Sequence, residues 1–270
     1  MRQVIAPAGI GCHVDAMSRC YALSGLVLFT SCATTKQPQP AQAEQNAASI
    51  PASPNISAGK DANSVVEAAL AEAGGRERLH SIKDLTLSSY MTTSGKGGRT
   101  VQLKQYVVFP NMERTEVRGS GKEMIIVITK DVAFRQVGGV VTDLPAPEAE
   151  AARQQLQPGI RIPTWIFLAL SNPGAKLTLK PAVEENGRTV EVIETVDSSG
   201  EPLAVFVDAS SRLLVRIRSK ASDTEFDDWR TISGLRYPFK TRSKAKQNVS
   251  IEVEEVKFNS DVSPELFKRP

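Results

Sequence analysis

Period-two alternation of apolar and polar residues governs this chain from about residue 85 to residue 253. Leu85, Leu87 and Met91 alternate with polar residues, as do Val101, Leu103, Val107 and Phe109. Met124, Ile126 and Ile128 form another set, and Val132 and Phe134 follow a break at Lys130-Asp131. Leu203, Val205 and Val207 repeat the pattern, then Leu213, Val215 and Ile217. Further runs carry Phe226, Trp229 and Ile232, then Tyr237 and Phe239, then Val249, Ile251 and Val253. Such a chain buries one face and wets the other, which is the pattern of half-buried strands. Gly95–Gly98 and Gly119–Gly121 punctuate the runs, and Asn186-Gly187 suits a type I′ hairpin. Strands joined by short turns make an antiparallel sheet. About eleven strands approach the limit for an open twisted sheet, so the sheet should curl. The expected class is α+β: a curled antiparallel sheet of about 11 strands, a half-open β-barrel, covered by two or three helices.

The covering helices come from two places. Ser64-Val-Val-Glu67 fits a capping box, Val66 and Leu70 share a helix face, and Gly74-Gly75 ends the helix. A second turn carries Leu79 and Ile82. In mid-chain, Pro145-Ala-Pro147 opens a polar helix from Glu148 to about Gln157, and Pro158-Gly159 breaks it. Ile160 to Leu170 is then apolar almost all round. It is too short to cross a bilayer and too apolar to lie in water on a monomer's surface. It is the natural cover for the concave face, with the helix at 64–73 beside it. The closing turn, Val262 to Phe267, should plug one end.

The front end reads as an address. Residues 21–29 form an apolar run too short for a bilayer span, with Arg19 ahead of it. This suits a signal peptide over residues 1–31, with Met17 as the start that a short basic n-region requires. Thr30-Ser31-Cys32 closes the run in an order that resembles the bacterial lipobox, although Phe29 stands where Leu is usual. That resemblance makes Cys32 the lipidated first mature residue and gives the chain a membrane anchor. An ordinary cleaved signal is the alternative. Ala33 follows, with no Asp to signal inner-membrane retention, which implies the outer membrane, facing the periplasm. Residues 32–60 read as the lipidated cysteine and a flexible linker rich in Ala, Gln and Pro. Residues 61–270 form one folded domain.

Composition removes several functions. Lys and Arg number 33 against 30 Asp and Glu, too even for a chain whose main partner is nucleic acid. Three cysteines and two histidines leave little for a structural zinc site. No nucleophile and base stand together, so the chain reads as non-enzymatic and without a cofactor. His80, in a helical turn, reads as structural. Gly119-Ser-Gly121-Lys122 lacks the spacing of a phosphate loop and reads as a hairpin turn. Asp223, Glu225 and Asp227 share a strand face. Calcium is one reading, and a solvated charge ladder opposite Arg212, Arg216 and Arg218 is the commoner one.

The order of helix, strands, helices and strands resembles the LolA/LolB-like superfamily of bacterial envelope proteins. The phrases that carry the resemblance are Ala73 to Ile82, Phe206-Val-Asp208, Trp229 to Pro238 and the terminal Phe267-Lys-Arg-Pro. The family implies a half-barrel that holds an acyl chain or a lipoprotein's lipid, in lipoprotein sorting or lipid handling. On that reading Trp165, Phe167, Leu168 and Leu170 gate a groove lined by Phe109, Phe134, Phe206, Phe226 and Trp229. A filled core without a cavity is the alternative. So is a non-enzymatic envelope sensor or assembly module that binds a partner protein with the same sheet.

Overall fold

The computed structural model describes residues 61–95, 97–119, 121, 123–154, 156, 161–197, 200–245 and 247–270. The signal peptide, Cys32 and the linker lie outside them. Helix α1 (Ala62–Glu72) and the short α2 (Arg76–His80) come first. Six strands follow: β1 (Asp84–Thr93), β2 (Thr100–Val108), β3 (Met112–Arg118), β4 (Met124–Ile128), β5 (Ala133–Val137) and β6 (Val140–Asp143). The interruption holds α3 (Ala146–Gln154), a 3-10 turn (Pro163–Trp165) and α4 (Ile166–Leu170). Seven strands then complete the sheet: β7 (Thr178–Glu185), β8 (Arg188–Val196), β9 (Pro202–Asp208), β10 (Leu214–Ser219), β11 (Asp223–Ile232), β12 (Leu235–Lys244) and β13 (Val249–Phe258). A 3-10 turn at Pro264–Phe267 ends the chain.

All these strands form one antiparallel sheet of 13, more than the eleven expected. Its order is β6-β5-β4-β3-β2-β1-β13-β12-β11-β10-β9-β8-β7. Each half is a plain meander. The two meanders join where β1 pairs with β13, with Leu87 opposite Val256 and Met91 opposite Ile251. The free edges, β6 and β7, are therefore neighbours in sequence, and the helical interruption links them.

The inner face follows from register. Leu85, Leu87, Ser89 and Met91 on β1 stand beside Val107, Gln105, Leu103 and Val101 on β2. Across the other half, Ile193, Val205, Val207, Leu214 and Ile217 pack against Val65, Val66, Ala69 and Leu70 of α1 and Phe167 and Leu170 of α4. Helix α3 seats Ala149 on Ile128 and Ala133.

Local chemistry sets the element ends. Asp61, not Ser64, caps α1: its carboxylate accepts from Ser64 N at 2.7 Å, and the Ser64 side chain answers the Asp61 N–H at 3.3 Å. The earlier residue wins because a carboxylate is the stronger acceptor for the exposed first-turn amides. Asn186 and Gly187 take φ of 52° and 74°, as the type I′ turn requires. Gly74, at φ 120°, lets the end of α1 meet the β11–β12 turn, and a Cβ there would lie 2.7 Å from Gly234 O. Gly74→Ala is expected to cost about 1–3 kcal/mol of stability. An unchanged urea midpoint would contradict this.

The closing turn does not plug an end. Phe267 is buried with Val127 and Phe134 on the outer face of β4 and β5, opposite the helices. Arg114 donates to Leu266 O at 3.1 Å and Arg269 to Asp143 at 2.6 Å, which fixes the turn there.

Candidate functional site

The cover is made by a proline and a run of apolar residues. Pro163 opens the 3-10 turn, and Ile166 to Leu170 continue it as one helical turn and a half. Phe167 and Leu170 are buried at 1% and 5% exposure and belong to the core cluster beneath the cover. Trp165, Ile166 and Leu168 are half-buried against the same cluster, with Leu177, Leu179 and Phe258. The Trp165 ring lies 4.7 Å from that of Phe109, which bridges this cluster to the one containing Leu85, Val107 and Tyr237.

Phe226 and Trp229 also belong to this cluster. Strict alternation would send residues three apart to opposite faces. Asp228 adopts φ 52°, and the rings of Phe226 and Trp229 come within 6.5 Å. The Arg230 guanidinium holds Asp228 in a two-bond clasp at 3.1 and 2.8 Å and keeps its carboxyl below the ordinary aspartate range.

Phe134 and Phe206 do not join the cover. Phe134 packs with Phe267 on the outer face. Phe206 sits with Val190 and Val192, also on the outer face, beneath the Arg216 guanidinium at 4.0 Å. In both strands the inner face is taken by the neighbours, Ala133 in one and Val205 and Val207 in the other. The acidic run beside Arg216 and Arg218 is a charge ladder. Asp223 pairs with Arg218 at 3.1 Å, Glu225 with Lys244 at 3.2 Å, and Arg212 turns away to Glu191 at 2.6 Å. Among the described residues no group of three or more His, Cys, Asp or Glu could hold a metal ion.

A buried polar knot went unread in the sequence. Arg161 and Glu113 are ion-paired at 2.6 Å with side chains only 8% and 7% exposed. Both Glu113 oxygens accept from the guanidinium, and Thr115 and Gln105 donate to Oε1 at 2.8 and 3.2 Å. The Tyr237 hydroxyl donates to the Arg161 carbonyl at 3.3 Å. Burial pushes the Tyr237 pKa far above the ordinary tyrosine value, so the group stays neutral and remains a donor. The knot ties the start of the cover to β3 on one side and β12 on the other.

No protein-family model matches the chain, and no curated protein matches it. Solved structures do. A DUF1329 family protein from Desulfovibrio piger is similar over 76% of this chain and 96% of its own, at 11% identity and a TM-score of 0.50. A LolA superfamily protein from Nitrosomonas europaea matches over 78% of this chain and 98% of its own, at 10% identity and TM-score 0.49. A domain described as an outer membrane lipoprotein-sorting protein, from Vibrio parahaemolyticus, matches over 76% and 95%, at 11% identity and TM-score 0.46. At these identities the likeness is one of fold alone, and in this chain that fold is an antiparallel sheet, open at both edges and covered by helices on its inner face.

Proposed function

We propose that this chain is an envelope lipoprotein, anchored through Cys32 to the outer membrane and facing the periplasm, that binds an acyl chain or a lipoprotein's lipid in a half-open barrel. The supporting observation is the short apolar cover. Trp165, Ile166 and Leu168 are half-buried on it, over an inner face built from Ile193, Val205, Val207 and Leu214. Apolar burial of a chain in such a seam is favourable by about 25 cal/mol per Å². The work is binding and release, by movement of the cover, without covalent chemistry. Phe167 and Leu170 hold the cover down, and Trp165 and Leu168 meet the ligand. Phe109, Phe226 and Trp229 line the far side. Among the described residues no helix is long and apolar enough to cross a membrane. The anchor is assigned to lipid on Cys32 by the lipobox-like order Thr30-Ser31-Cys32.

The test uses the full chain with Cys32→Ser, so that no attached lipid competes. It is expected to bind a fluorescent fatty acid, and Leu168→Asp to weaken that binding at least about tenfold, because a carboxylate in an apolar seam loses its hydration. A well-folded protein that takes up neither fatty acid nor lipopeptide refutes the reading.

A further inference from the structure

The two free edges of the sheet are built differently. A free edge offers unpaired backbone groups to another strand, and proteins blunt it with lysine, proline or a bulge. β7 has all three: Lys180, Pro181 and a register shift between Lys180 and Val183. β6 has none of them. It pairs with β5 residue for residue, from Val137 with Val140 to Phe134 with Asp143. Val140, at its start, is 69% exposed, the most of any large apolar residue among those described.

Register decides which backbone groups of β6 face out. Leu144 N donates to Ala133 O at 2.9 Å, so those two residues form a bonded pair with β5. Bonded and non-bonded pairs alternate along an antiparallel ladder. Thr142 and Val140 therefore bond to β5, and Val141 and Asp143 turn their N–H and C=O groups away from it. Laid antiparallel on a second copy of itself, β6 has one register that uses all of these groups. Val141 then stands opposite Asp143 of the second copy, and Asp143 opposite its Val141. In that register Thr142 faces its own copy, and exposed Val140 faces Leu144. Threonine pairs and apolar pairs directly opposite each other support a sheet. Asp143 is already neutralised by Arg269 at 2.6 Å, so no like charges meet.

We propose that β6 is a homotypic docking edge, through which two copies of this chain pair antiparallel about a two-fold axis at Thr142. A two-fold contact closes on itself, and the blunted β7 prevents the head-to-tail pairing that would run on into fibres. So few residues a side bury less than the about 1,000 Å² of a stable interface, so the pair is transient. It forms where copies are crowded, as on a shared membrane surface. The pairing does not depend on what lies beneath the cover.

The test uses the full chain with Cys12, Cys20 and Cys32 replaced by serine and Thr142→Cys added. In the proposed register the two position-142 Cα atoms form a non-bonded pair about 4.5 Å apart, within disulfide reach. Under mild oxidation Thr142→Cys is expected to give at least about tenfold more disulfide dimer than Val183→Cys on the blunted edge. Val141→Pro should abolish that excess, because it removes an outward N–H and leaves the pairing with β5 intact. Val140→Lys, a charge on the edge with the backbone untouched, should abolish it as well. An unchanged urea midpoint shows that each variant is folded. Equal dimer from Thr142→Cys and Val183→Cys, or an excess that survives either substitution in a folded chain, overturns the proposal. Cross-linking in the cell envelope to a different polypeptide, and not to a second copy, overturns it too.

Discussion

Glu113→Ala is expected to lower stability by about 3–5 kcal/mol, read as a fall in the urea midpoint with an unchanged slope. The cause is the Arg161 guanidinium, whose side chain is 8% exposed and which would lose the carboxylate that neutralises it. Thr115 and Gln105 would lose their shared acceptor as well. The double variant Glu113→Leu with Arg161→Met should recover most of that loss, because a buried pair replaced by apolar groups of like volume is often neutral or better. The single variant thus measures the penalty of a bereft charge, and the pair of variants measures what the ion pair itself contributes. A single variant as stable as the parent would show that water reaches the pair and that the knot does not hold the cover.

Phe267→Ala is expected to cost about 3–5 kcal/mol, the usual range for emptying a buried phenylalanine site. Phe267 is 3% exposed and closes the outer cluster over Val127 and Phe134. Below its melting range the variant should bind fatty acid as the parent does, since its cluster lies on the opposite side of the sheet from the cover. Parallel loss of binding in the folded variant would show that the outer cluster belongs to the site.

Much of this architecture could be read directly from the alternation. It yielded most of the strands, the antiparallel pairing and the place of the covering segment, and Asn186-Gly187 marked its hairpin. The same arithmetic should have removed Phe206 from the groove. Val205 and Val207 claim the inner face of β9, and a residue between them must point out. Trp229 is the reverse case: parity sets it opposite Phe226, and the left-handed Asp228 brings them together. A single non-glycine residue in that conformation leaves no trace in the periodicity. The Glu113–Arg161 pair was unreadable for another reason. The partners are 48 residues apart, on a strand and on the cover, and each looks like any surface charge until the fold encloses both. The short β6 hid because most of its four residues are exposed, so it shows no apolar alternation.

The pairing of the first strand with the last puts the chain's two unpaired sheet edges on either side of a single connecting segment. That segment runs as a strap from one rim to the other, stitched at mid-span by Arg161 to β3 and by Tyr237 to its carbonyl. A strap fixed at both rims cannot lift without drawing on them. On the reading proposed above, splaying of the rims and release of a ligand from beneath the strap would be one mechanical event, set by the strength of the stitch.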